Sequence, residues 1–163
     1  MTTLTHTLFG IVLAKVSIDM GMIPATSSLI YPISIISANL PDFDVLYVPM
    51  SKNHRESLLH TPLFWLAIIG LCYAIAAVNH PLLPYIHILT IGIVSHFLLD
   101  TIDMRSGIRW FYPFNKNFIN VLHSVDDIQS DNLLRFIKTY VTHPVAVIES
   151  VVLFTCIIAY LKL

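Results

Sequence analysis

The sequence predicts an all-α integral membrane protein, a bundle of about four to five apolar helices with a further amphipathic helix at the membrane interface. Three observations carry this. Hydrophobic residues make up 56% of the 163 residues and charged residues only 12%, against about 25% in an ordinary soluble domain. Mean hydropathy is +0.75, too high for a soluble helical domain in which every helix needs a polar face. The apolar residues also gather into stretches near the lower limit of about 17 residues for a membrane crossing. The chain 1–163 reads as a single membrane-embedded domain. Disorder is excluded by the same numbers, and two cysteines exclude a disulfide scaffold. A net charge of −1 without a basic run gives nucleic-acid binding no support.

The apolar segments are 8–23, 25–40, 62–78, 82–102 and 144–161. The first contains Lys15 and Asp19, whose i, i+4 spacing lets them pair and so explains a charge inside an apolar run. Ser27, Ser28, Ser34, Ser37 and Asn39 dilute the second, and Pro32 is placed to kink it. These two segments therefore suit a position tucked against the others better than one facing lipid. The third carries no charge and the fifth only Glu149; Cys72 and Cys156 fall within them as packing residues. No Lys or Arg precedes the first apolar run, so the start does not read as a cleaved signal peptide.

Lys52 and Arg55 lie between the second and third segments, and Arg105, Arg109, Lys116, Arg135 and Lys138 between the fourth and fifth. The other two connections have no Lys or Arg. If all five segments cross, these two basic connections and the N-terminus share one side, and the positive-inside rule makes it cytoplasmic. The long connection after the fourth segment ends in an amphipathic pattern over 124–140, with Ile128, Leu133, Leu134, Ile137 and Val141 apolar and Asp131 paired with Arg135. Ser124 followed by Asp127 suits its start, and the pattern predicts an interfacial helix.

Eight histidines in so weakly charged a chain are the informative feature. A lone membrane histidine more often bonds helices together than binds a metal, and His80, His87 and His143 are read that way. His6, His54, His60 and His96 converge with aspartates. His96 and Asp100 stand one turn apart on a helix face; alone, this pair suits a hydrogen bond at a helix end equally well. Asp42 and Asp44 follow Pro41 at the end of the second segment, His54 and His60 open the third, and His6 begins the first. Four separate regions thus deliver His or Asp to one membrane face. The pattern favours a divalent metal site of mixed nitrogen and oxygen ligands, best suited to zinc and holding one or two ions.

These elements, Thr5-His6 with Gly10, Leu40-Pro41-Asp42-Phe43-Asp44, His54-Arg55 with His60, Ser95-His96 with Asp100, and Gly107 with Pro113-Phe114, run in an order that resembles the YdjM-like, membrane-bound, metal-dependent hydrolases of bacteria and archaea. The resemblance covers about residues 5–114. The chain departs from the family pattern in separating His54 and His60 by six positions rather than five, and in having Val45 where a His commonly follows the second Asp. The resemblance implies a cytoplasmic (inner) membrane location, the metal ligands His6, Asp42, Asp44, His54, His60, His96 and Asp100, and a ligand pattern similar to zinc-dependent phospholipase C and nuclease enzymes.

The expected chemistry is a metal-activated water attacking a phosphodiester or another ester at the cytoplasmic membrane face, with membrane lipids as the natural partners and substrate class. Arg55 is placed to hold an anion or simply to set topology. Asp44 or Asp103 is placed to orient the water or a ligand histidine. No HExxH, GxSxG or Gly-rich phosphate loop occurs. A non-catalytic metal-binding protein, structural, sensing or cation-handling, is the rival reading. A cation carrier fits less well, because its ligands belong near mid-membrane.

Overall fold

The structure, a computed structural model, describes residues 1–24, 28–46, 54–102, 107–121 and 133–162. Helix α1 (Thr3–Asp19) begins ahead of the first apolar run and closes at Gly21. There the N–H groups of Gly21 and Met22 bond to the carbonyls of Ile18 and Ser17 at 2.9 and 3.0 Å, a stop that needs a left-handed residue. Gly21 supplies it with φ of +69°. Lys15 and Asp19 pair at 3.6 Å, as their spacing predicts.

Helix α2 (Ile30–Asn39) has 10 residues, which rise about 15 Å, half of a hydrocarbon core about 30 Å thick. The second apolar segment therefore does not form a full-length membrane crossing. After Asn39 the chain tightens into a 3-10 turn, Leu40–Leu46, where Pro41 offers no N–H to the helix ladder. On one face α2 is clamped between neighbours through small residues, while Ile36 on the other is 53% exposed. A Cβ on Gly10 of α1 would meet the Ala38 Cβ and the Ser34 carbonyl, both at 3.0 Å, and one on Gly92 of the fourth helix would run into the Ser37 side chain and lie 3.0 Å from the Ala38 nitrogen. Bare glycines let the three backbones approach, and Ser34 donates from Oγ to the Gly10 carbonyl at 2.6 Å.

Helix α3 (Pro62–Val78) starts from an extended Thr61 with Pro62 in its first position, where a missing N–H costs nothing. A 3-10 turn, His80–Leu82, leads into α4 (Leu83–Ile102). The two helices share a core of Trp65, Ile69, Ile93 and Phe97 that Ile108 completes. Residues 107–121 fold back on the end of α4: Ile108 and Ile119 exchange backbone bonds at 3.0 and 2.8 Å, the Val121 N–H reaches the Thr101 carbonyl at 2.9 Å, and Trp110 Nε1 donates to Thr101 Oγ1 at 2.8 Å. Gly107, at φ of +76°, makes the turn against the Ile119 backbone.

Helix α5 (Leu133–Thr142) is followed by α6 (Pro144–Lys162). The expected amphipathic helix over 124–140 is thus helical from Leu133 onward, with Leu134, Ile137 and Val141 exposed; residues 124–132 lie outside the described residues. Among the described residues two helical stretches, His80–Ile102 and Pro144–Lys162, are long and apolar enough to cross a membrane, while Pro62–Val78 is shorter. This is fewer than the four to five expected, because Gly21 stops α1 and the Leu40–Pro41 turn truncates α2. On α6, Val147, Val151, Phe154, Ile157 and Leu161 point outward, an apolar face of the kind lipid covers. Helices α1 and α3 begin, and α2 and α4 end, at the same end of the bundle, so polar residues at those four ends become neighbours.

Candidate metal centre

His96, fully buried on α4, directs Nδ1 at the Ala38 carbonyl, 2.8 Å away. A carbonyl only accepts, so Nδ1 carries the proton and Nε2 is left with a lone pair. His60, just before α3, is held in the same tautomer. Its Nδ1 donates to Asp44 Oδ2 at 2.7 Å, and Asp44, itself buried, also accepts from Ser57 Oγ. The two Nε2 atoms then face each other at 3.4 Å. Asp42 Oδ1 stands 3.4 Å from His60 Nε2 and 3.8 Å from His96 Nε2. A tetrahedral ion with bonds of about 2.0–2.1 Å needs donor separations of about 3.3–3.4 Å, so this triangle has the dimensions of one face of such a site, slightly expanded.

Two lone pairs and a carboxylate oxygen converging at this range repel one another unless a positive charge joins them. Burial pulls the His60 imidazole down, but hydrogen bonds to Asp42 and Asp44 outweigh it and hold the group up at about 8. Burial likewise raises the Asp42 carboxyl, yet the bond from His60 and the neighbouring His96 carry it well below the usual carboxylate range. Without a metal, a proton on His60 supplies the missing charge.

A second trio, His6, His96 and Asp100, overlaps the first. His6 Nε2 lies 3.3 Å from Asp100 Oδ1, and its ring stacks on His96 with centroids 4.0 Å apart. Neither ring nitrogen of this buried histidine makes a hydrogen bond. Such an orphan costs about 1–3 kcal/mol and fits a group that a cation completes. Since His96 has one lone pair to give, it serves one ion only; a second ion would have to rely on His6 and Asp100 without it. Asp100 is also the anchor for cations of the chain: Arg55 Nη2 reaches its Oδ2 at 3.1 Å, and the Met1 amino group pairs with Oδ1.

Of the residues the sequence singled out, His6, Asp42, Asp44, His60, His96, Asp100 and Arg55 come together here. Asp44 sits behind His60 and orients it, while Arg55, buried, is committed to Asp100. The His54 side chain and Asp103 lie outside the described residues. Sequence reading missed Ser57, three positions before His60 and bonded to the same carboxylate. Arg109, read from the sequence only as a topology-setting charge, donates to the Glu56 carbonyl and lies 4.6 Å from the Tyr112 ring and 5.4 Å from that of Phe118. Arg109 thereby fastens 107–121 to the turn that carries Arg55. Glu149 had registered only as a lone charge; it is buried on α6, bonded by Thr5 Oγ1 at 3.5 Å and by the Tyr140 hydroxyl.

A family model described as YdjM inner membrane protein matches residues 1–163. The chain belongs to the YdjM inner membrane protein family. No curated protein and no solved structure matches it. Membership makes this YdjM-family chain an inner membrane protein, in accord with its two helices of crossing length, and the His–Asp groups are candidate metal ligands within it.

Proposed function

We propose that this YdjM-family protein is a metal-dependent hydrolase of the inner membrane, acting on a phosphodiester or another ester, such as that of a lipid, at the cytoplasmic face. The observation that carries it is the triangle of His60 Nε2, His96 Nε2 and Asp42 Oδ1, with edges of 3.4–3.8 Å and each histidine fixed from behind. Mixed imidazole and carboxylate ligands suit zinc. When bound, zinc supplies Lewis acidity that brings a coordinated water to a pKa near about 7. The chain's own residues bind through this triangle and orient through Asp44 and the Ala38 carbonyl. Arg55 neutralises and steers Asp100, which stands 3.8 Å from both Nε2 atoms. The Asp42 side chain is 17% exposed while the other ligands are at most 2%, so access from outside comes past Asp42, as a catalytic site requires.

The cytoplasmic orientation rests on the basic residues of the two connections flanking this end of the bundle. Multi-pass topology follows if α1 and α3 cross alongside the two longer stretches. The near-complete burial of His6, His96 and Asp100 favours the second reading, a closed structural metal site. Metal analysis of the detergent-purified protein beside a His96→Ala/Asp100→Ala variant tests the centre. One or two zinc ions per chain, lost in the variant, are expected; wild-type protein that takes up no zinc, manganese or iron refutes it. Turnover of a micellar phosphodiester by the zinc-loaded protein, lost in the variant, separates the hydrolase from the structural reading.

A further inference from the structure

Between α3, α4 and residues 107–121 lies a pocket of about 210 Å³ whose lining side chains are all apolar. Trp65, Phe97 and Trp110 form its walls. Both indole N–H groups are tied away from it, Trp65 to the Leu59 carbonyl at 2.6 Å and Trp110 to Thr101, so the pocket receives only hydrocarbon faces. Leu66, Val94 and Phe111 stand at its mouth and are 63%, 43% and 56% exposed. Behind it Phe97 packs edge-on against His96, centroids 5.6 Å apart, and the Trp65 bond ends one residue before His60. One layer of side chains separates the pocket from the candidate metal ligands.

We infer that this pocket takes the acyl chain of a membrane lipid. Size argues for a chain: a neighbouring helix, about 10–12 Å across, does not enter a space of 210 Å³, whereas a single hydrocarbon chain does. Depth argues for a lipid. Phe97 lies within the last two turns of a helix long enough to cross the membrane, at about 1.5 Å per residue from its end, where the ester-linked start of an acyl chain resides. The inference rests on the membrane placement and deepens the proposed function, since it makes the substrate a lipid held by its chain beside the His–Asp cluster.

The two tryptophans of the chain both line the pocket, which gives the test its probe. In a Trp110→Phe variant Trp65, 6% exposed, is the sole tryptophan, excited at the red edge where the seven tyrosines do not absorb. It is reconstituted into phosphatidylcholine vesicles with and without bromine on the acyl chains. The reference is a Trp65→Phe/Trp110→Phe/Leu71→Trp variant, whose reporter position on α3 is 64% exposed. Trp65 is expected to be quenched at least half as strongly as the reference, and a plug at the mouth, Val94→Phe or independently Leu66→Phe, to cut that quenching at least twofold without changing the reference. Weaker quenching, quenching indifferent to both plugs, or quenching by aqueous acrylamide instead overturns the inference. Because bromine contact needs no metal, protein that passes yet takes up no zinc, manganese or iron leaves the pocket standing while the hydrolase falls. Protein that binds metal and turns over a phosphodiester but fails the quenching test does the reverse.

Discussion

Asp44→Asn removes one charge and almost no volume from the most buried part of the centre, and its effect can be worked out from contacts. Asp44 holds His60 through a 2.7 Å bond from Nδ1 and is one of three carboxylates, with Asp42 and Asp100, that lift His60 to about 8 from the ordinary 6.5. That rise corresponds to roughly 2 kcal/mol in favour of a positive charge at His60. With asparagine there, burial acts against Asp42 and Asp100 alone, and the imidazole falls below its present value. An orienting carboxylate behind a ligand histidine is worth about 10–100-fold in metal affinity. Zinc affinity of Asp44→Asn, measured by chelator competition at pH 7, is therefore expected to drop by that factor with stoichiometry unchanged. Ser57→Ala, which removes a hydroxyl that donates to Asp44 and accepts the His60 N–H at 3.3 Å but no charge, should cost less. Affinity unchanged within about twofold would refute the orienting role, and loss of an equivalent of zinc would make Asp44 a direct ligand.

Other outcomes follow from the same contacts. Zinc must displace the His60 proton, so its affinity should climb about tenfold per pH unit below pH 8 and flatten above; titration calorimetry in two buffers of different ionisation heat checks the proton released. The stability that this proton gives the metal-free protein is fully present below about pH 6.5 and lost as pH rises through about 8, visible as a falling melting temperature. Arg55→Gln leaves Asp100 short of a buried cation and should destabilise by about 3–5 kcal/mol, read by unfolding in detergent. Gly92→Ala drives a methyl group into Ser37, 2.8 Å from its Cβ, and should cost about 1–3 kcal/mol together with zinc, because His96 and Ala38 are pushed apart; metal content beside thermal unfolding tests both.

The site was legible where residue type decides chemistry. His6, Asp42, His60, His96 and Asp100 stand at helix ends that the hydropathy pattern already brings to one side, so their convergence could be read without coordinates. Direction was not legible. Nothing in Asp-Phe-Asp says that Asp42 faces the histidine lone pairs while Asp44 faces a ring N–H, since this depends on how the 3-10 turn Leu40–Leu46 rotates. The truncation of α2 escaped for a similar reason: Ser34 and Ser37 look like dilution of a crossing helix until Gly10 and Gly92 are seen pressed against them. Such contacts pair glycines with residues 24 to 55 positions away, beyond what periodicity reports. The Arg109 clasp on the 54–56 turn is likewise a pairing between distant segments.

The close seating of α2 against α4 has a consequence for proton placement. The carbonyl that fixes the His96 tautomer belongs to Ala38, and the Ala38 nitrogen is one of the atoms that a side chain at Gly92 would strike. Interhelical spacing and the choice of which His96 nitrogen bears hydrogen are thus one variable. If His96 is a metal ligand as proposed, a bilayer that squeezes or relaxes this pair of helices acts on its readiness to bind, and a glycine one turn before it, itself without any titrating group, becomes a determinant of acid–base state.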